Sequence, residues 1–402
     1  MLPQTPPRAW AMLAIGVGAQ VAGTVFVTTP AFLIPLLHLQ RGLSLAEAGT
    51  LAAAPTLGLV LTLIAWGALA DRIGERWVIA GGLALTALAA VGALFAQGYL
   101  ALGLFFLLGG MAAASTNAAS GRVVVGWFPK HRRGLAMGIR QMAQPLGVTV
   151  SAVTIPGIAS GYGIASAVSV PLVLTAVFAV LCALVIVNPP RAAAAVEAPV
   201  AAAGRAPVAA NPYRASGFLW RIHAVSALLV LPQFLLSIFG LVWLVAELHW
   251  NPLAAGVLVG VSQFIGAIGR IGVGVMSDRV GSRVRPLRWV AVSAVVVMLL
   301  LATVDATHFA GAGIAFVIAT AVTVADNGLA FTSVAEMAGS AWAGRALGAQ
   351  NTAQFLAASA AGPLFGALIG LVGYPLSFLL AAVAPAIAIP LVPPVSAEHD
   401  RL

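Results

Sequence analysis

Hydrophobic positions in this chain fall into long apolar runs parted by short polar stretches, at approximately 10–36, 46–70, 77–96, 99–126, 135–158, 165–187, 218–245, 253–277, 288–304, 310–335, 346–370 and 374–393. Each run is near or above the roughly 20 residues a helix needs to cross about 30 Å of hydrocarbon. In lipid, backbone groups must be satisfied within helices or a closed barrel. Barrel strands alternate with a period of two, and Leu100–Leu108 and Val168–Val187 do not alternate. The pattern therefore predicts an all-α integral membrane protein with twelve transmembrane helices. Pro30, Pro35, Pro145, Pro156 and Pro363 lie in or near these spans and read as tolerated kinks. The turns around Gly98 and Gly373 are very short.

Composition agrees with the pattern. Hydrophobic residues make up 61% of the 402 and charged residues 8%, with a mean hydropathy of +1.03. A soluble domain carries roughly 25% charged side chains. The net charge of +9 follows from where the arginines lie. Arg72 and Arg76, then Lys130, Arg132 and Arg133, Arg191, Arg205 and Arg214, Arg279, Arg283, Arg285 and Arg288, and Arg345 all fall on one side of a twelve-span path, leaving Arg41 alone on the other with Glu47, Glu247, Asp305 and His308. The positive-inside rule then puts both termini in the cytoplasm of a multi-pass plasma-membrane protein, and the basic stretches give no reason to expect nucleic acid as a partner. Trp10–Leu37 reads as a retained first helix, not a cleaved signal. Cys182, the only cysteine, has no partner for a disulfide within the chain.

The longest connection, Asn188–Gly217, contains the Ala- and Pro-rich run Arg191–Ala206 and reads as a flexible linker. The expected organisation is thus a six-helix unit over 1–188, a linker over 189–217 and a second six-helix unit over 218–402. Internal repetition supports it. Gly67-x-x-x-Asp71-Arg72-x-Gly74-x-Arg76 follows the second span, and Gly274-x-x-x-Asp278-Arg279-x-Gly281-x-Arg283 follows the eighth with identical spacing. Gly138-Ile139-Arg140-Gln141-Met142-Ala143-Gln144 opens the fifth span, as Gly348-Ala349-Gln350-Asn351-Thr352-Ala353-Gln354 opens the eleventh. Two correspondences in the same order make a duplicated, pseudo-symmetric pair of bundles, a construction of secondary transporters. The acidic and basic residues of the turns, with glycines that allow close approach, suit a latch at the cytoplasmic end; a static loop clamp is the simpler reading. The gating set is Gly67, Asp71, Arg72, Gly74, Arg76, Arg122, Gly274, Asp278, Arg279, Gly281 and Arg283.

On these motifs the chain resembles the major facilitator superfamily over essentially its full length. The resemblance implies alternating access between two six-helix bundles, with spans one, four, seven and ten lining the path. Gly269-Arg270-Ile271-x-x-Gly274 in the eighth span is also similar to the buried-arginine segment of bacterial oxalate/formate exchangers and monocarboxylate transporters, where that arginine engages an anionic substrate. The chain departs from those patterns at Gly266, where monocarboxylate carriers often place an aspartate, and in having no lysine in the eleventh span.

Ionisable groups inside a span usually face a cavity or a partner. Arg270 lies about two turns, roughly 10 Å, inward of Asp278 and could grip a carboxylate through two hydrogen bonds, serve as half of a structural pair, or snorkel toward the cytoplasmic interface. Asp326, beside Asn327 near the middle of the tenth span, is the first candidate for proton coupling, with a hydrogen-bonded brace as the bland alternative. Glu336 is a second candidate, close enough to the inner end to be a gate or a cap instead. Arg140 stands where the repeat has Gln350 and divides evenly between anion contact and an inner-side salt bridge. Gln20, Asn117, Gln233, Gln263, Asn327, Gln350, Asn351 and Gln354 are candidates for polar substrate contact or for ordinary interhelical bonding. Trp243 and Phe239 are possible cavity walls. The six histidines show no metal-ligand spacing, and no Walker loop, dinucleotide fingerprint, nucleophile elbow or zinc motif is visible. No cofactor, metal or enzymatic activity is expected. The leading reading is a monomeric secondary carrier of a small organic anion, with protons or a counter-substrate as its other partner. Proton-driven efflux of amphipathic drugs or metabolites is the alternative, and a non-transporting receptor or scaffold a distant third.

Overall fold

The computed structural model describes residues 7–128, 136, 139–140, 142–188, 211–338 and 342–399. Among these residues the chain is helical between short turns. The first four spans are Pro7–Arg41, Leu45–Ile73, Glu75–Leu94 and Tyr99–Trp127. The fifth and sixth run together as Ala143–Val185. A short helix, Pro212–Ala215, precedes the seventh span, Phe218–Val242, which ends in a π-helical turn at Trp243–Glu247. The eighth and ninth are Pro252–Val280 and Val284–Ala306. The eleventh and twelfth share Ala343–Ala381 and continue as Val383–Leu391.

Local chemistry sets several boundaries. Ser44 and Glu47 form a reciprocal capping box at the start of the second span, with the Glu47 carboxylate accepting from the Ser44 backbone N–H at 2.9 Å. Asn251 caps the eighth, and Pro252 takes the first helical position, where its missing N–H costs nothing. Pro30, Pro35, Pro156 and Pro363 sit inside helices, as expected for kinks in a bundle.

Among the described residues, ten apolar elements are long enough to cross a membrane. Two of them turn back at a glycine, Gly163 (φ 85°, ψ 176°) and Gly373 (φ 76°, ψ 176°), which gives the twelve crossings. Such dihedrals are open to glycine and costly for other residues. Each glycine comes 25 residues after the one that begins the second repeated motif, Gly138 and Gly348. The two turns are therefore a third in-register correspondence between the halves.

The tenth span departs from the continuous helix that its apolar run predicts. It comprises Ala312–Thr323 and Asp326–Ala338, separated by turn residues Val324 and Ala325. Neither is a proline or glycine; the break is held from outside, by a side chain of the eighth span described below.

The halves meet where the second span packs on the eleventh and the fifth on the eighth. At the end of the bundle away from the termini, backbones touch. A Cβ added at Gly49 would lie 2.2 Å from the Gly362 carbonyl oxygen, and one at Gly256 would lie 2.1 Å from the Ala152 carbonyl oxygen. These crossings occupy corresponding places in the two halves and close that end. Towards the termini the same helices diverge, and a Cβ at Gly67, Gly272 or Gly274 would meet nothing within 4 Å.

Overpacking a close helix contact costs about 1–3 kcal/mol. Gly256→Ala should therefore lower the thermal stability of the solubilised protein by about that amount. Gly81→Ala, whose Cβ would meet nothing within 4 Å, should shift it by about 0.5 kcal/mol or less. Equal melting behaviour for the two variants would refute the crossing as a close-packed contact.

Candidate functional site

Between the halves lies a cavity of about 1050 Å³, its open mouth included. It is closed on one side by the glycine crossings. Phe32, Phe234 and Phe355 give it aromatic wall, and five amide residues, Gln20, Asn117, Gln144, Gln233 and Gln263, give it a polar one. Arg270 is the sole ionisable residue in the lining among the described residues. Trp243 and Phe239, possible walls on sequence grounds, are placed elsewhere. Trp243 is fully buried and donates from Nε1 to Asp305 Oδ1 at 2.9 Å, and Phe239 packs at the Gly49 crossing.

The amides form two matching pairs. Gln20 Nε2 donates to Asn117 Oδ1 at 3.0 Å, joining spans one and four. Asn327 Nδ2 donates to Gln233 Oε1 at 3.1 Å, joining spans ten and seven. Each pair is braced from outside the cavity. Ser120 donates to Gln20 Oε1 at 3.3 Å and accepts from Arg140 Nε at 2.8 Å. Gln354 Nε2 donates to Asn327 Oδ1 at 2.7 Å and to Ser226 Oγ at 2.6 Å. Arg140 thus reaches the first pair through Ser120, and it also donates to the Asn117 backbone carbonyl at 3.3 Å. It is not part of the lining.

Arg270 combines two roles. Its Nε donates to the Val324 carbonyl at 2.8 Å, satisfying a carbonyl freed by the break in the tenth span, while the residue lines the cavity. Asp326 begins the second piece of that span, at the positive end of its helix dipole. It is fully buried, and neither carboxyl oxygen has a hydrogen-bond partner among the described residues. Arg270 is within electrostatic range of Asp326, with no direct ion pair between them.

The other expected residues divide by location. Gln263 lines the cavity and donates to Ser237 Oγ at 3.4 Å. Gln350 is buried away from it, its Oε1 accepting from His223 Nδ1, and Asn351 is half-buried beside it. Glu336, a proton-coupling candidate on sequence grounds, is ion-paired with Arg283 at 3.1 Å on the terminus side, outside the lining. Arg283 also binds Asp278, and the hydrogen bonds it donates to Glu336 first, then to Asp278, hold the guanidinium above its ordinary pKa against partial desolvation. Arg76, the matching residue of the first motif, instead donates from Nε to the Ala183 carbonyl near the end of the sixth span, at 2.7 Å. Gly74 (φ 87°) and Gly281 (φ 64°) both adopt the positive φ for which glycine is suited. Arg72 and Arg279 are exposed. The side chains of Asp71 and Arg122, and the residues Gly138 and Gln141, lie outside the described residues. Gln144, Thr24 and Ser237 were missed as lining residues. Gln144 carried a signal, since it matches Gln354 in the repeated motif.

Comparison with known proteins agrees with this architecture. The family model described as Major Facilitator Superfamily matches residues 15–362. The "Uncharacterized MFS-type transporter Rv2994" of Mycobacterium tuberculosis (strain ATCC 25618 / H37Rv) is 46% identical over 384 residues, covering 96% of this chain and 84% of the relative. Among solved structures, a bacterial homolog of the human lysosomal transporter Spinster, in an inward-facing and occupied conformation, has a TM-score of 0.80 at 15% identity, covering 100% of this chain and 98% of that one. A D-xylose-proton symporter has a TM-score of 0.74 at 15% identity, covering 97% and 99%. These two show likeness of fold.

The matching amide pairs should have matching strength. Double-mutant cycles on Gln20→Leu with Asn117→Leu, and on Gln233→Leu with Asn327→Leu, are each expected to give a coupling of about 0.6 kcal/mol, typical of interhelical hydrogen bonds in membranes. Thermal unfolding in detergent measures both. Coupling in one cycle and none in the other would overturn the symmetric reading.

Proposed function

The chain belongs to the Major Facilitator Superfamily and is a membrane transporter, and from that premise we propose that it carries a small organic anion, a carboxylate, by proton coupling or exchange. Secondary transport by alternating access needs a central site reached from one side at a time. The observation that carries the anion reading is the one guanidinium in a lining that is otherwise uncharged among the described residues. With Nε engaged by Val324, its terminal nitrogens remain to bind a carboxylate oxygen. Arg270 is the main substrate contact, Gln20, Asn117, Gln233 and Gln263 are polar contacts, and Arg140 positions the first amide pair.

Asp326 is the proton-coupling group. A buried carboxyl whose nearest donors are the backbone N–H groups of Asp326 and Asn327 at its own helix start is poorly served when charged unless a cation turns to it, and Arg270 is a cation within range. An arriving anion competes for that guanidinium and favours a proton on Asp326, which links substrate occupancy to protonation. Glu336 takes the part of a clamp with Arg283 and Asp278, between the eighth and tenth spans. The arginine distribution supports a plasma-membrane protein with both termini, and so the cavity mouth, towards the cytoplasm. A monomer has the whole cavity within one chain, with 1–188 and 218–402 as the moving halves. The three phenylalanines of the lining favour a second reading, proton-driven efflux of an amphipathic compound.

Proteoliposome transport of radiolabelled short carboxylates and of cationic dyes, with and without a proton gradient, separates the two readings. Carboxylate movement stimulated by the gradient is expected. Robust dye movement with no carboxylate binding or transport would sink the anion assignment. In Asp326→Asn the gradient should no longer drive accumulation, reducing it at least about tenfold, equivalent to about 1.4 kcal/mol. Unchanged coupling and pH response would reject the role of Asp326.

A further inference from the structure

The two amide pairs leave a specific set of groups to the cavity. Asn117 and Gln233 both line the cavity and use their carbonyl oxygens within the pairs, where Gln20, also in the lining, and Asn327 are the donors. The Asn117 Nδ2 and Gln233 Nε2 amino groups make no hydrogen bond among the described residues, so one wall in each half offers N–H donors. Acceptors accompany them. Gln263 spends an amino hydrogen on Ser237 and keeps its Oε1. Thr24 donates its hydroxyl hydrogen back to the Gln20 carbonyl at 2.8 Å, which leaves its lone pairs turned outward. The lining therefore mixes donors and acceptors on both sides of one guanidinium. Simple apolar acids would leave these amides unsatisfied, and a second carboxylate would find no second cation among the described lining residues.

We infer that the substrate is a polyhydroxylated monocarboxylate, an acid of sugar type, whose carboxylate is held by Arg270 and whose hydroxyls are read by Asn117 and Gln233 from opposite halves. A hydroxyl is the group that answers both kinds of wall, since it accepts from an amide N–H and donates to an amide oxygen or a threonine. Contact with both walls gives the hydroxyls a second task, because a ligand that touches both amide pairs draws the halves together around it. This inference deepens the anion reading and rests on it.

The test is equilibrium binding to the full-length protein in nanodiscs with propionate, glycerate, gluconate and succinate as probes. Glycerate should bind more tightly than propionate, which matches it in carbon count and lacks its hydroxyls. Gluconate should bind at least about tenfold more tightly than propionate, and succinate more weakly than gluconate. Asn117→Leu and Gln233→Leu should each lose about tenfold for gluconate and clearly less for propionate, whereas Arg270→Gln should lose all four. The ligand series on the unaltered protein decides the matter even if a variant fails to fold. Equal binding of propionate and glycerate, tighter binding of succinate than gluconate, or the same loss for propionate and gluconate in the two amide variants would overturn the inference and leave the anion reading standing. Binding of none of the four anions would overturn both.

Discussion

A backbone carbonyl without a partner costs several kcal/mol in hydrocarbon, and the centre of this molecule is arranged around one that a helix has let go. The tenth span stops and restarts at Val324 and Ala325, and Arg270 reaches across from the eighth span to bind the freed oxygen. That bond explains why a break without proline or glycine persists. It also fixes a guanidinium beside the cavity and sets a buried carboxyl at the start of the next helical piece. One requirement of the bilayer thus places the cation and the acid together.

The rest of the architecture is duplicated around that unequal centre. Both halves turn at a glycine with almost the same dihedrals, both pair an asparagine with a glutamine across their inner helices, and both cross the other half through a close backbone contact at one end. The ionic contacts differ. Arg283 joins an acid at the end of the eighth span to one near the end of the tenth, while Arg76 binds the carbonyl end of the sixth. Charge differences on a shared frame thus separate a part common to both halves from a part in which they differ.

The spans and the repeat were legible in the sequence because both rest on local signals. A run of apolar residues must be helical in lipid, and the motif glycines mark turns that need a positive φ. Residue types at the site were legible too: Gln20, Asn117, Gln233, Arg270 and Asp326 stood out as polar groups inside spans. Their partnerships were hidden, since which amide meets which depends on how helices rotate against one another. The break at Val324 left no trace because its cause lies 54 residues away, in Arg270. Glu336 shows the converse: its depth near the inner end suited a gate or a cap, and it turns to Arg283 at the bundle end, a partner supplied by a neighbouring loop. The repeat held unused information, since Asn117 and Asn327 are separated by the same interval as Gly138 and Gly348.

The bond from Arg270 to Val324 bears on how such a carrier can be inhibited. A compound that captures the whole guanidinium fork has to uncap half of a transmembrane helix, so part of its binding energy is lost to repairing or tolerating an orphaned carbonyl. One that takes only the two terminal nitrogens and leaves Nε in place avoids that loss. For this cavity an oxyanion approached end-on is a better starting scaffold than a flat bidentate group laid along the side of the fork.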